Sequence, residues 1–143
     1  METFEKRSIS LEAAQRLVEA ALREAGSVGI KVCVAVVDES GYLKAFVRQD
    51  GAALVTVQSS QDKAFTAIGF GIPSHAWYPM IKEDPALLHG VPTSIDRIVI
   101  YGGGIPIKIG GQVVGGIGVG GGSHEQDRQI AEAALRALEG APA

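Results

Sequence analysis

A single cysteine, Cys33, in 143 residues excludes an internal disulfide, and its neighbours Val32, Val34 and Val36 mark it as a small core residue rather than a reactive thiol. Histidine is almost as scarce. His75, His89 and His124 are the three present, and none stands in an HExxH or CxxC-type spacing, which argues against structural zinc. Positive charge is neither abundant nor clustered: 13 Lys and Arg against 16 Asp and Glu give a formal net charge of −3. No basic stripe suits a phosphate backbone, so nucleic acid is not an expected partner. The longest weakly polar stretch, Val113 to Gly122, falls well short of the roughly 20 residues of a membrane-spanning helix and is about half glycine, so it reads as a strand and not as a membrane span. The charged start, Met1 to Arg7, has the character of neither a leader nor an anchor, so a cytoplasmic location without membrane contact is expected. A Gly-x-Ser-x-Gly elbow is also missing, which disfavours covalent hydrolysis.

What is present is material for one folded unit. Apolar residues make up 46% and charged residues 20%, enough to bury a core, and no linker divides the chain, so one domain over residues 1–143 is expected. Leu11 to Ala25 carries apolar residues at three- and four-residue spacing behind Ser10 as N-cap, which predicts an amphipathic helix ended by Gly26 and Gly29. The apolar run Ile30 to Val37 reads as a strand buried on both faces in mid-sheet. Asp38 to Gly41 is a turn, and Tyr42 to Val47 the returning strand of a hairpin. Val57, Ala64, Phe65 and Ile68 predict a helix over Val55 to Phe70. Pro73, Pro79, Pro85 and Pro92 then predict an irregular excursion up to Asp96, a candidate lid or subunit contact. Strands are expected at Ile98 to Tyr101, Ile105 to Ile109 and Val113 to Val119, and a final helix behind Ser123. Fraying is expected at Met1 to Arg7 and Gly140 to Ala143.

Ser123 and Gln126 have the spacing of a capping box, so a helix should start there behind Gly120, Gly121 and Gly122. That glycine run suits either an anion held by free backbone N–H groups or a turn capped for stability. It is no nucleotide fingerprint: Gly118-Val-Gly120-Gly-Gly-Ser123 carries serine at the sixth position, and no strand follows the helix to complete a βαβ unit. His124, Glu125 and Asp127 lie too close together in a helix to converge without help, and acidic residues there also complement the dipole. Arg48, Asp50 and Lys63 could bind a carboxylate if they meet; otherwise they are solvated charges. Each of His75, His89 and His124 is a candidate axial ligand for haem, with a surface or capping role as the alternative.

Several stretches, in order, resemble the GlcG/HbpS family: Val34-Ala-Val-Val-Asp38 with Gly41, Arg48-Gln-Asp50-Gly51, Gln61-Asp-Lys63-Ala64, Gly102-Gly-Gly-Ile-Pro106, and Gly115 to Gly121 followed by Glu125-Gln-Asp127. The likeness spans roughly residues 8–139. It implies an α/β (α+β) fold, a single antiparallel sheet flanked by helices in a profilin-like arrangement, and assembly into dimers, hexamers or octamers. It also implies a small-ligand-binding protein, with haem or a related tetrapyrrole as the candidate ligand. The alternative is a cofactor-independent tautomerase or deaminase acting on a small carboxylic acid in catabolism, with Lys63, Glu125 and Asp127 as catalytic groups. Whether the chain is an enzyme is left open. The ligand-binding set is Arg48, Asp50, Lys63, His89, Tyr101, Gly102, Gly103, Gly104, Gly121, Gly122, His124 and Glu125. The pocket is expected where Gly102 to Gly104, the start of the last helix, Lys63 and the excursion meet, and Lys63→Ala and Glu125→Ala are each expected to weaken ligand binding or turnover at least tenfold, about 1.4 kcal/mol, while hardly changing the melting temperature.

Overall fold

Ser10 starts the first helix as the sequence requires: its side chain accepts from the Ala13 N–H, and α1 runs Leu11–Val28. Gly26 lies inside this helix rather than ending it; Gly29, in the left-handed region at φ 87°, is the cap. The computed structural model describes residues 1–140, so the fraying expected for Gly140 to Ala143 lies, beyond Gly140, outside the described residues. There follow β1 (Cys33–Asp38), β2 (Leu43–Arg48), α2 (Thr56–Phe70), a 3₁₀ turn (Ser74–Ala76), α3 (Trp77–Ile81), α4 (Pro85–Ser94), β3 (Gly104–Ile109), β4 (Gln112–Gly120) and α5 (His124–Glu139).

The four strands form one antiparallel sheet in the order β2-β1-β4-β3. Strand β1 is central and buried on both faces, as its unbroken apolar run predicts, and Cys33 is fully buried in it. The hairpin turn is held by Asp38, whose Oδ1 accepts from the Ser40 and Tyr42 N–H groups at 2.9 and 3.0 Å. Helices α1 and α5 cover one face, where Leu17, Val34, Val36, Ile117, Val119 and Ile130 are buried together. Helix α2 covers the other face over Ala35, Val37 and Ala64.

Glycines decide how α2 sits. A Cβ at Gly116 would lie 2.5 Å from Ala64 O, and one at Gly118 would lie 2.6 Å from Ala64 N, so the helix backbone rests directly on β4. The α2 backbone meets β4 at Ser60 and Ala64, because only small groups fit so short a gap, with Lys63 and Ala67 buried beside them; of the periodic set expected from sequence, Ala64 and Ile68 pack on the sheet while Val57 and Phe65 are half-buried.

Two expectations fail in the second half. The proline-rich excursion is helical: Pro73 caps the 3₁₀ turn, Pro79 lies in the single short α3, and Pro85 is the first residue of α4 behind an Asp84 cap. Proline's fixed φ and missing N–H cost nothing in a first helical turn, so these residues start short helices. Only Pro92, among these four, lies beyond the first turn of its helix. Ile98 to Tyr101 is not a strand; the Val99 N–H donates to Thr66 Oγ1 at 3.0 Å, so a side chain of α2 takes the bond that a neighbouring strand would have taken. Arg97, just before it, adopts a left-handed φ of 63° and is held by Asp62 at 2.9 Å and by the Phe65 ring, 4.1 Å from its guanidinium carbon. No helix of the described residues is long and apolar enough to cross a membrane.

Candidate functional site

The start of α5 is closed upon itself. Ser123 Oγ accepts from the Gln126 N–H at 3.2 Å and Gln126 Oε1 accepts from the Ser123 N–H at 2.9 Å, the capping box expected from their spacing. The Gly122 N–H donates to Asp127 Oδ1 at 2.9 Å. Of the two readings of the glycine run, the capped turn is therefore the one formed, because side chains of the helix itself take these donors. Asp127 turns inward, and its Oδ2 lies 2.9 Å from Lys63 Nζ, which also donates to Val119 O at 2.9 Å. With side chains only 3% and 4% exposed, Lys63 and Asp127 form a buried ion pair tying α5 to α2 across the end of β4.

Above this pair the chain passes through Tyr101, Gly102 and Gly103. A Cβ on Gly103 would lie 2.9 Å from Lys63 Nζ, and one on Gly102 would lie 2.6 Å from His124 O, so both glycines allow the loop to lie flat against the helix start. Lys63 Nζ stands 5.2 Å from the centroid of the Tyr101 ring. Beyond that ring opens a cleft of about 540 Å³, within the roughly 300–1,000 Å³ usual for small-molecule sites. One wall is His75, Tyr78 and Pro79 from the excursion; the second is Ile100, Tyr101 and Gly102; the third is His124, Glu125 and Arg128 from α5.

The two imidazoles of the cleft differ. His124 is exposed, with Nε2 at 3.1 Å from Glu125 Oε1 and its ring edge-on to Tyr101 at 6.1 Å. His75 is half-buried, and its Nδ1 is buried without a hydrogen-bond partner. Burial pushes the His75 pKa below its ordinary 6.5, the positive charge of Arg128 pushes it further down, and Glu132 opposes weakly. The ring is therefore neutral at neutral pH, the form that ligates metals.

The structure thus brings His75, Tyr101, Gly102, His124 and Glu125 to one cleft, and sets Lys63, Asp127, Gly103 and Gly104 behind its floor. It does not bring in the others. His89 is exposed on α4, outside the lining. Arg48 ends β2 and donates to Ala52 O at 3.2 Å, and Asp50 lies in the exposed turn that follows. A carboxylate clamp of Arg48 with Lys63 is not assembled, since each cation is engaged by other groups; Lys63 is buried, not solvated. Gly121 and Gly122 pack against Val32 and Gln126 rather than the cleft. Ile100 and Arg128 were not singled out from sequence, and Tyr78 and Pro79 only as members of the excursion. Arg128 was the findable one, four residues after His124 and so on the same helix face. Among the described residues, no three His, Cys, Asp or Glu side chains are grouped to hold a metal ion.

Comparison with known proteins adds three observations. A family model described as "Haem degrading protein HbpS-like" matches residues 9–136. A 15.0 kDa protein of Citrobacter freundii, from the dhaT-dhaS intergenic region and without an assigned function, is 35% identical over 128 residues, which is 90% of each chain. Among solved structures, Klebsiella pneumoniae protein ORFY superposes with a TM-score of 0.93 at 30% identity, over 99% of this chain and 98% of that one. The complex of PduOC with heme superposes at 0.85, also at 30% identity, over 91% and 94%.

Proposed function

The chain belongs to the HbpS-like family, and from that premise we propose that it is a small-ligand-binding protein holding haem or a related tetrapyrrole in the cleft between the excursion and α5. One observation carries the placement: His75, whose burial favours the neutral imidazole and whose buried Nδ1 has no hydrogen-bond partner among the described residues, lines the cleft together with Tyr78, Tyr101 and His124. The residues fit the group: His75 is the candidate axial ligand, with Tyr78, Pro79, Ile100 and Tyr101 as walls for a flat apolar ring system. Haem, when bound, would supply iron-centred redox chemistry; the chain's own residues would flank its ring system, and burial favours the unprotonated imidazole of His75. The superposition on a relative crystallised with heme supports this reading. The proposal extends to a homo-oligomer of this one domain working in the cytoplasm.

The test is titration of the purified protein with haem. A Soret band that shifts on binding and saturates at one haem per chain is expected, and His75→Ala should weaken binding at least tenfold, about 1.4 kcal/mol. Absorbance that never saturates, or a His75→Ala protein binding as tightly as wild type, would remove His75 from the site.

A further inference from the structure

We infer that the cleft selects flat aromatic ligands that carry a carboxylate, and that Arg128 binds that carboxylate; the inference rests on the cleft reading above and deepens it. Arg128 follows His124 by four residues and Glu125 by three, so the three side chains share one face of α5, and all three line the cleft. Gly102 fixes how closely that face is approached: a Cβ there would lie 3.3 Å from Arg128 Cβ, so the loop wall and the arginine stem meet only because position 102 has no side chain.

The guanidinium is positioned but not used up. Its Nε donates to Glu132 Oε1 at 2.7 Å, which holds the side chain along the helix, while neither Nη group has a hydrogen-bond partner among the described residues. An Nη edge of this kind is a donor fork for a carboxylate. The contact with Glu132 is half-exposed, and such pairs are weak in water, so it competes poorly with an incoming acid. The remaining charges leave Arg128 alone in this role. Glu125 faces His124, and Lys63 is closed against Asp127 behind the floor. His75 and Arg128 line the same cleft, so it presents an imidazole and a permanent cation together. A ligand with an apolar plane and an acidic edge matches both.

The experiment compares haem with haem dimethyl ester, whose propionates are capped, in Soret titrations of wild type and Arg128→Gln. Arg128→Gln is expected to weaken haem binding about fivefold or more and to change ester binding less than about twofold, with wild type preferring the acid by a similar factor. Equal haem affinity in wild type and variant overturns the role of Arg128 while the cleft reading stands, and equal weakening toward acid and ester does the same. If wild type binds neither ligand, the cleft reading fails first and this inference with it. Thermal melts of the variant within about 2 °C of wild type establish that the comparison is made between folded proteins.

Discussion

Lys63 and Asp127, with side chains 3% and 4% exposed, form a pair of which the fold should tolerate losing one partner poorly. Lys63→Met leaves the Asp127 carboxylate buried without its cation, and should cost about 3–5 kcal/mol in urea unfolding. A Lys63→Met, Asp127→Leu double variant should lose less than the single one, because no uncompensated charge remains. Lys63→Ala, expected from sequence to melt like wild type, should on this geometry melt far lower. His75 gives a pH dependence instead. Its folded pKa lies below the ordinary 6.5, so above that value both folded and unfolded chains carry it neutral and it contributes nothing. As pH falls below about 6.5, the unfolded chain takes up a proton that the folded chain resists, and stability declines until the lowered folded pKa is passed. Denaturation midpoints measured from pH 7 down to pH 5 should fall less steeply for His75→Gln than for wild type.

At the scale of elements, glycine separates two kinds of position. Gly118 lies under α2, and an added methyl would meet Ser60 O and Ala64 N, backbone atoms that cannot move without shifting the helix. Gly118→Ala should therefore destabilise by about 2–3 kcal/mol. Gly26, inside α1, has nothing within 4 Å of a built Cβ and no left-handed φ. Gly26→Ala should stabilise by about 0.5–1 kcal/mol, because it removes freedom only from the unfolded chain. Parallel thermal melts of the two variants test both; a neutral Gly118→Ala would mean that α2 is not seated on β4 as described.

For the whole molecule, the strand order leaves β2 and β3 as edges, each with unpaired backbone groups on one side. Near the β2 edge Tyr42 is 75% and Leu43 50% exposed, an apolar surface that a lone chain presents to water at some cost. Sedimentation at micromolar concentration is expected to give a species larger than a monomer. A monomer as the sole species would set aside the proposed oligomer, with no bearing on the cleft.

Local signals did their work within a few residues of themselves. Ser10 and Ser123 announce their helices because a cap acts over three positions, and the unbroken apolar run of β1 announces a central strand because both of its faces must be covered. The family resemblance carried the single antiparallel sheet; of the segments expected to form the pocket, the excursion, Gly102 and the start of α5 line the cleft, whereas Lys63, Gly103, Gly104 and the Gly120 to Gly122 run do not. What tertiary structure alone decided is whatever joins distant residues. Lys63 finds Asp127 at a separation of 64 positions, and no spacing along the chain foretells that a lysine on a helix will be buried. Thr66 takes the bond that would have made Ile98 to Tyr101 a strand, and the glycines of β4, legible in sequence only as part of a strand, are the floor on which a helix rests. Hydrogen bonds and burial of this kind depend on which surface a segment meets, and that is fixed only when the sheet order is.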